Sequence, residues 1–143
     1  AWQVFSVAST YPYFLSYFNE LAGGYRNGYI YVVDSNYDWG QGLKRLADWT
    51  EKNNVKKIYV DYFGGADAPY YLKDKYRAWW GQRNPKDLKK GDYLAVSASF
   101  LQGGIGFPAK GFDQPTGYYR WLLTQDLVAR PDPSIFAFKI NKN

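Results

Sequence analysis

No cysteine, histidine or methionine occurs anywhere in the 143 residues. Those absences exclude cysteine nucleophiles, Ser-His-Asp triads, imidazole or thiolate zinc sites and disulfides. Any acid–base chemistry falls to Asp, Glu, Lys or Tyr. A chain without cysteine folds equally well in either redox environment, so compartment stays open on this ground. No apolar run reaches the length that spans a bilayer, and no signal-peptide pattern opens the chain, which as given reads as soluble. Its start at Ala1 rather than Met points to processing or to excision from something longer.

What is present is aromatic. Hydrophobic residues make up 46% and aromatic residues 21% of the chain, a load that argues for a packed core rather than disorder. The length suits one domain, residues 1–143, divided into an N-terminal helical segment (1–24) and an α/β body (25–143). Basic residues outnumber acidic ones by 18 to 13, a net charge of +5 that favours an anionic surface such as lipid headgroups. The basic residues are scattered rather than striped, so no nucleic-acid partner is expected.

Apolar residues Val4, Phe5, Ala8, Tyr11, Leu15, Phe18 and Leu21 recur at spacings of three and four, which predicts an aromatic N-terminal helix. Pro12 breaks or restarts it, and Gly23-Gly24 stops it. Tyr29 to Val33 is a β-branched and aromatic run that predicts a first strand. A helix over Trp39 to Asn53 follows, with Leu43, Leu46, Ala47 and Thr50 inward and Lys44, Arg45, Asp48 and Lys52 outward. Further expectations are a strand at Lys56 to Phe63, a short helix at Asp67 to Tyr76, and a strand at Asp92 to Phe100. A long surface loop over Gln102 to Gly117, a helix at Tyr118 to Val128 and a last strand at Ser134 to Ile140 complete them. The pattern is α/β: a mostly parallel sheet of about four strands flanked by helices, with the first two strands joined by a right-handed crossover.

The polar stretch Asp34-Ser-Asn-Tyr-Asp-Trp-Gly-Gln41 sits between the first expected strand and the helix, where ligands collect in open α/β sheets. Asp38 and Gln41 have the spacing of a helix capping box. That accounts for those two residues as structure and leaves Asp34, Ser35, Asn36 and Trp39 to be explained. Asp34, Asn36 and Asp38 also match the first three oxygen ligands of a calcium loop, but Trp39 and Arg45 stand where such loops need Gly and Glu, so no metal is assigned. An internal hydrogen-bond network, a basic partner such as Arg26 or Arg45, the Asn19-Glu20 turn and a bound cation are the candidate partners of Asp34, in which the network ranks first. Glu20, Asp34, Asp38 and Asp61 are the carboxylates available for glycoside cleavage. Gly103-Gly104-Ile105-Gly106 lacks the Lys-Ser/Thr ending of a phosphate loop. Trp79 and Trp80 suit a core or a sugar-stacking surface.

Two segments, Tyr17-Phe-Asn-Glu-Leu-Ala-Gly-Gly24 and Asp34 to Gln41, together with the gap between them, resemble the region after the last transmembrane helix in prokaryotic membrane glycosyltransferases. That superfamily comprises the protein O-mannosyltransferases and aminoarabinose transferases. The likeness extends through Leu43-Lys-Arg-Leu46, Tyr70-Tyr71, Ala95-Val-Ser-Ala-Ser99, Leu101-Gln-Gly103 and Ser134-Ile-Phe136. Tyr13 stands where the family pattern has His, and Gly42 where it has an acidic residue. The resemblance implies the extracytoplasmic domain of an enzyme that uses a polyprenyl-phosphate-linked sugar. Its catalytic carboxylate would lie in an extracytoplasmic loop of a multi-helix membrane part N-terminal to this chain. The domain itself is then expected to carry no catalytic residue and no cofactor and to assist substrate or acceptor access. Its partners would be that membrane part, a lipid-linked sugar or glycan acceptor, and the membrane surface, to which the full protein is tethered. The residues carried forward as a ligand or structural polar site are Asn19, Glu20, Asp34, Ser35, Asn36, Asp38, Trp39 and Gln41. The alternative is a free-standing carbohydrate-binding or carboxylate-based glycoside-active protein.

Overall fold

The structure, a computed structural model, describes residues 2–108, 110–111 and 113–141. Its centre is a sheet built from β1 (Ile58–Asp61), β2 (Tyr76–Ala78), β3 (Tyr93–Ser97), β4 (Asp126–Asp132) and β5 (Ile135–Lys139). The strand order is β2-β1-β3-β5-β4. β1 runs parallel to both β2 and β3, whereas β5 is antiparallel to β3 and to β4. The α/β class stands, but the sheet is mixed and has five strands rather than about four mostly parallel ones. The extra strands are β2 and the edge strand β4.

Alternation along β3 and β5 divides the core in two. Leu94, Val96, Phe136 and Phe138 point to one face, where Tyr37, Trp79, Leu101, Tyr119 and Leu122 cover them. Ala95 and Ile135 point to the other, where α2 (Leu43–Lys52) and α3 (Ala68–Leu72) bring Leu43, Leu46, Ala68 and Leu72. α2 reads as expected on its inner face: Leu43, Leu46 and Thr50 are buried at helical spacing. It begins four residues later than the Trp39 start, and it ends where Asn53 donates back to the Trp49 carbonyl and Asn54 takes a positive φ of 53°. α4 (Ala98–Ile105) takes over the last three residues expected as strand, 98–100, and the first four of the stretch that read as a surface loop, 102–105. Gly104 lies against Tyr118 and Tyr119, where a Cβ would come within 2.5 Å of the Tyr119 ring, so this glycine serves packing.

Tyr29 to Val33 is not a strand. Gly28–Ile30 form a 3-10 turn closed by bonds to the Asn27 and Gly28 carbonyls, and the side chains of Tyr29 and Val32 lie on the sheet instead of pairing with it. The Tyr29 ring meets Phe136 edge-on at 4.9 Å. Gly28 lets this happen, since a side chain there would collide with Phe18 and Tyr37. Burial of aromatic rings on a sheet face overrode local β-propensity. The crossover expected from residues 29–33 is absent with that strand, and the parallel pairing of β1 arises with β2 and β3 instead.

The N-terminal segment also differs. α1 (Trp2–Thr10) stops before Pro12, and the expected second helix is replaced by 3-10 turns at Phe14–Ser16 and Glu20–Ala22. Between them Tyr17 is extended and the Ser16 hydroxyl is bonded to the Tyr37 carbonyl. Tyr118 to Val128, read as one helix, is a 3-10 turn over Arg120–Thr124 followed by β4. Among the described residues no helix is long and apolar enough to cross a membrane.

Leu46 is fully buried between α2 and the sheet. Leu46→Ala is expected to cost about 2–5 kcal/mol in urea unfolding, and a loss under about 1 kcal/mol would contradict this packing.

Candidate functional site

The loop from Asp34 to Gln41 crosses the carboxyl ends of β1 and β3. The Asp34 N–H donates to Ser99 Oγ at 2.9 Å, just past β3, and the Tyr62 hydroxyl, just past β1, donates to the Gly40 carbonyl. β1 continues to β2 on one side of the sheet while β3 leads to β4 and β5 on the other. The crevice between the two is therefore a switch point, the place where open α/β sheets bind ligands. The Ser97 hydroxyl accepts from the Phe63 N–H across the same gap, at 2.9 Å. Ser97 and Ser99 thus tie neighbouring loops to the end of β3.

The expected capping box is not made. α2 starts with Gly42 as a backbone cap, while Asp38 Oδ1 accepts from the Gly40 N–H at 2.9 Å and Gln41 Oε1 accepts from the Trp39 N–H at 2.8 Å. Gly40, at φ 76°, puts a left-handed residue between Asp38 and the helix, so the two side chains cap a turn. Gln41 Nε2 donates to Ser16 Oγ at 3.1 Å, which ties the loop to the N-terminal segment.

Asp38 is 1% exposed, and its Oδ2 has no partner. Burial pushes its carboxyl up to about 6; the Gly40 N–H and the nearby Ser134 hydroxyl oppose that rise, and Asp132 and Asp34 add to it by charge repulsion. Asp132 is equally buried but satisfied. Its Oδ2 takes Arg45 Nη1 at 2.7 Å, and its Oδ1 takes the Ser134 N–H and hydroxyl at 3.0 and 2.9 Å. Arg45 goes on to the Pro12 carbonyl at 3.3 Å and lies over the Tyr13 ring. A cleft of about 280 Å³ opens beside this network, lined by Pro12 to Ser16, Gln41, Arg45 and Asp132.

Of the residues expected to form the site, Asp34, Ser35, Asn36, Asp38, Trp39 and Gln41 share this loop. Asp38 is sealed inside, while Asp34, Ser35, Asn36 and Trp39 face solvent, Trp39 at 64% exposure. Asn19 and Glu20 lie apart from the loop's bonds: Asn19 Oδ1 caps the turn at Ala22, and Glu20 lines a cleft beside α1. Asp34 is held by Ser99 through its backbone and by its own Oδ1 contact to the Ser35 N–H. Neither arginine named as its partner reaches it, because Arg45 binds Asp132 and Arg26 Nε donates to the Tyr25 hydroxyl. Ser16, Tyr62, Asp132 and Ser134 were not anticipated. The Asp-Pro-Ser order at 132–134 is a turn signal that could have drawn attention to them, but sequence spacing gives no hint that this turn meets Asp38. Gly42 is packed so tightly that a Cβ would lie 2.6 Å from Ile135 Cδ1 and 2.9 Å from Asp132 Cβ, so a side chain has no room here.

Asp61 belongs to a separate buried cluster on the other face of β1, where Tyr119 donates to its Oδ2 at 2.5 Å and burial raises its pKa. Of the carboxylates expected to serve glycoside cleavage, Asp34 and Asp38 share the loop, one exposed and one enclosed beside Asp132, whereas Glu20 lies beside α1 and Asp61 under Tyr119. Among the described residues no group of three or more Asp or Glu side chains is placed to hold a metal ion. Chemically the site offers a rigid interior and an exposed rim of one indole and three small polar side chains. Comparison with protein-family models, with curated proteins and with solved structures returned no match.

The raised Asp38 pKa sets a sign. Below its unfolded pKa, about 3.9, burial of the neutral acid carries no charge penalty, and stability falls as pH rises from there through about 6. The loss by pH 8 is on the order of 2–3 kcal/mol. Urea unfolding at pH 5 and pH 8 should show a smaller difference in Asp38→Asn than in the unaltered chain. Asp61 acts in the same direction in both proteins, so only the change between them is read; equal differences would refute the assignment to Asp38.

Asp34 takes φ 59° with its side chain exposed. Left-handed geometry costs an alanine about 1 kcal/mol that glycine avoids, so Asp34→Gly should melt at or above the temperature of Asp34→Ala. The reverse order would mean that the carboxylate contact to Ser35, not the backbone, holds the loop.

Proposed function

We propose that this chain is the extracytoplasmic, membrane-surface domain of a glycosyltransferase that uses a polyprenyl-phosphate-linked sugar, and that it assists substrate or acceptor access without catalysing transfer itself. The observation that carries this reading is the inverted polarity of α1. Its buried residues are Ser6 and Thr10, while Trp2, Val4, Phe5 and Val7 are each at least 59% exposed. The apolar surface continues through Tyr11, Phe14 and Leu15. A helix that hides its hydroxyls and presents its rings suits an apolar surrounding better than water. The glycosyltransferase part rests on the motif likeness of residues 17–24 and 34–41. Support for a non-catalytic role comes from Asp38, whose carboxyl, pushed up to about 6 by burial, is sealed from ligand.

The exposed Trp39 beside Asp34, Ser35 and Asn36 fits a glycan lip, since an indole face stacks on a sugar ring while small polar groups bond its hydroxyls. That feature serves the alternative reading equally, in which a free-standing protein binds carbohydrate.

Two measurements test the proposal. The domain alone should neither transfer sugar from a polyprenyl-phosphate donor nor cleave a chromogenic glycoside; turnover in either assay would overturn the non-catalytic assignment. In vesicle co-sedimentation Phe5→Ser with Phe14→Ser should weaken binding by about thirtyfold or more, from an apolar area worth about 1–2 kcal/mol per ring. Phe18, although aromatic and nearby, is unsuited to this test because it packs on Tyr37 and Gly28. Unaltered protein that stays wholly in the supernatant ends the membrane-surface reading.

A further inference from the structure

At the root of α1 lies a second cleft, of about 680 Å³, bounded by Phe5, Ser9 and Thr10 of the helix and by Glu20, Arg26 and Arg130 of the body. The four ion pairs among the described residues use Arg45, Lys57, Lys75 and Arg83, so Arg26 and Arg130 have no carboxylate within ion-pair distance. Arg130 is nevertheless fixed. Its Nη2 donates to the Arg26 and Pro133 carbonyls, each at 2.7 Å, and its guanidinium lies over the Tyr29 and Phe136 rings at 4.9 and 4.4 Å. Its Nε is buried without an acceptor. Carbonyls and ring faces hold a cation in place without neutralising it. Arg26, exposed, carries one bond to the Tyr25 hydroxyl at 3.3 Å. Glu20 answers one of the two charges and leaves the cleft with a positive excess.

We infer that this cleft receives the phosphate of an anionic phospholipid whose acyl chains run along the exposed apolar face of α1. The inference rests on the membrane-surface reading above and names the headgroup that reading leaves open. Charge complementarity selects the anion, and the guanidinium fork suits phosphate oxygens. Continuity of the cleft with Phe5 and the uncovered rings of α1 selects a lipid over a soluble phosphate, which would satisfy the arginines and leave the apolar face in water.

Co-sedimentation with vesicles of phosphatidylcholine alone, and of phosphatidylcholine mixed with phosphatidylglycerol, tests this with the chain as it stands. Arg26 is exposed, so its replacement leaves the core intact. Arg26→Gln should weaken binding to the mixed vesicles about fivefold and leave binding to phosphatidylcholine unchanged. Lys90→Gln, in the exposed loop at the amino end of β3, removes the same charge far from the cleft and should change either by less than about twofold. Equal losses for the two variants, or no preference of the unaltered chain for the mixed vesicles, would overturn the cleft while leaving the membrane reading intact. Saturable binding of inorganic phosphate, followed by intrinsic fluorescence and lost in Arg26→Gln, would overturn the lipid assignment in favour of a soluble anion. Absence of binding to both vesicles removes the membrane reading and this inference together.

Discussion

Asp132 is enclosed at the end of β4 with one oxygen on Arg45 of α2 and the other on the Ser134 N–H and hydroxyl. Through those bonds one carboxylate joins three parts of the chain. It closes the Asp-Pro-Ser turn that lets β5 return beside β4, it anchors α2 to that hairpin, and through Arg45 it reaches the Pro12 carbonyl of the N-terminal segment. A half-exposed pair of this kind has modest net worth as a pair. Removing one member leaves a buried charge unanswered, which costs on the order of 3–5 kcal/mol. The arrangement matters more for register than for stability, because a slip of β5 against β4 would carry the turn away from Arg45. Asp38 then has to lie beside an occupied carboxylate, and the guanidinium that could have neutralised it is already engaged. Its raised pKa follows from that placement and from burial.

How far the sequence could be read follows from which forces are local. α2 was legible because its buried residues repeat at helical spacing and the apolar face decides where it packs. β3 and β5 were legible because their runs are bounded by turn residues and sit at the centre of the sheet. Tyr29 to Val33 misled because aromatic and β-branched residues satisfy a sheet in two ways, by pairing with it or by lying on its face, and composition does not separate the two. β4 was missed for the opposite reason. As an edge strand it needs only one partner and tolerates Pro131 and two irregularities of register, so its residues show neither alternation nor strong β-propensity.

The polar loop was found for a reason only partly right. It was expected at the carboxyl end of its own strand, and it does lie at carboxyl ends, those of β1 and β3, held there by Ser99 and Tyr62 from far along the chain. The spacing of Asp38 and Gln41 read as a helix capping box, whereas both side chains bond N–H groups inside the loop, because a left-handed Gly40 separates them from the helix start. Neither Asp132 nor Ser134 is within reach of local pattern, since the contact that matters spans most of the chain.

The same network bears on how the apolar N-terminal segment relates to the loop. Ser16 Oγ touches both the Tyr37 carbonyl and Gln41 Nε2, and Arg45 bonds Pro12, so the root of α1 and the base of the polar loop share hydrogen-bond partners. Gln41 in turn fixes the Trp39 backbone, whose indole is the loop's most exposed side chain. A displacement at Pro12 to Ser16 would therefore break bonds to Arg45 and to Gln41, the residue that also holds the Trp39 N–H. α1 itself makes few such bonds: its hydroxyls at Ser9 and Thr10 turn back on the Ser6 carbonyl, and its rings are uncovered. The segment is thus weakly held along its helix and firmly held at its root. The bonds at that root run on through Gln41 and Arg45 to the base of the loop that carries Trp39, so the N-terminal segment and the loop share one hydrogen-bond network.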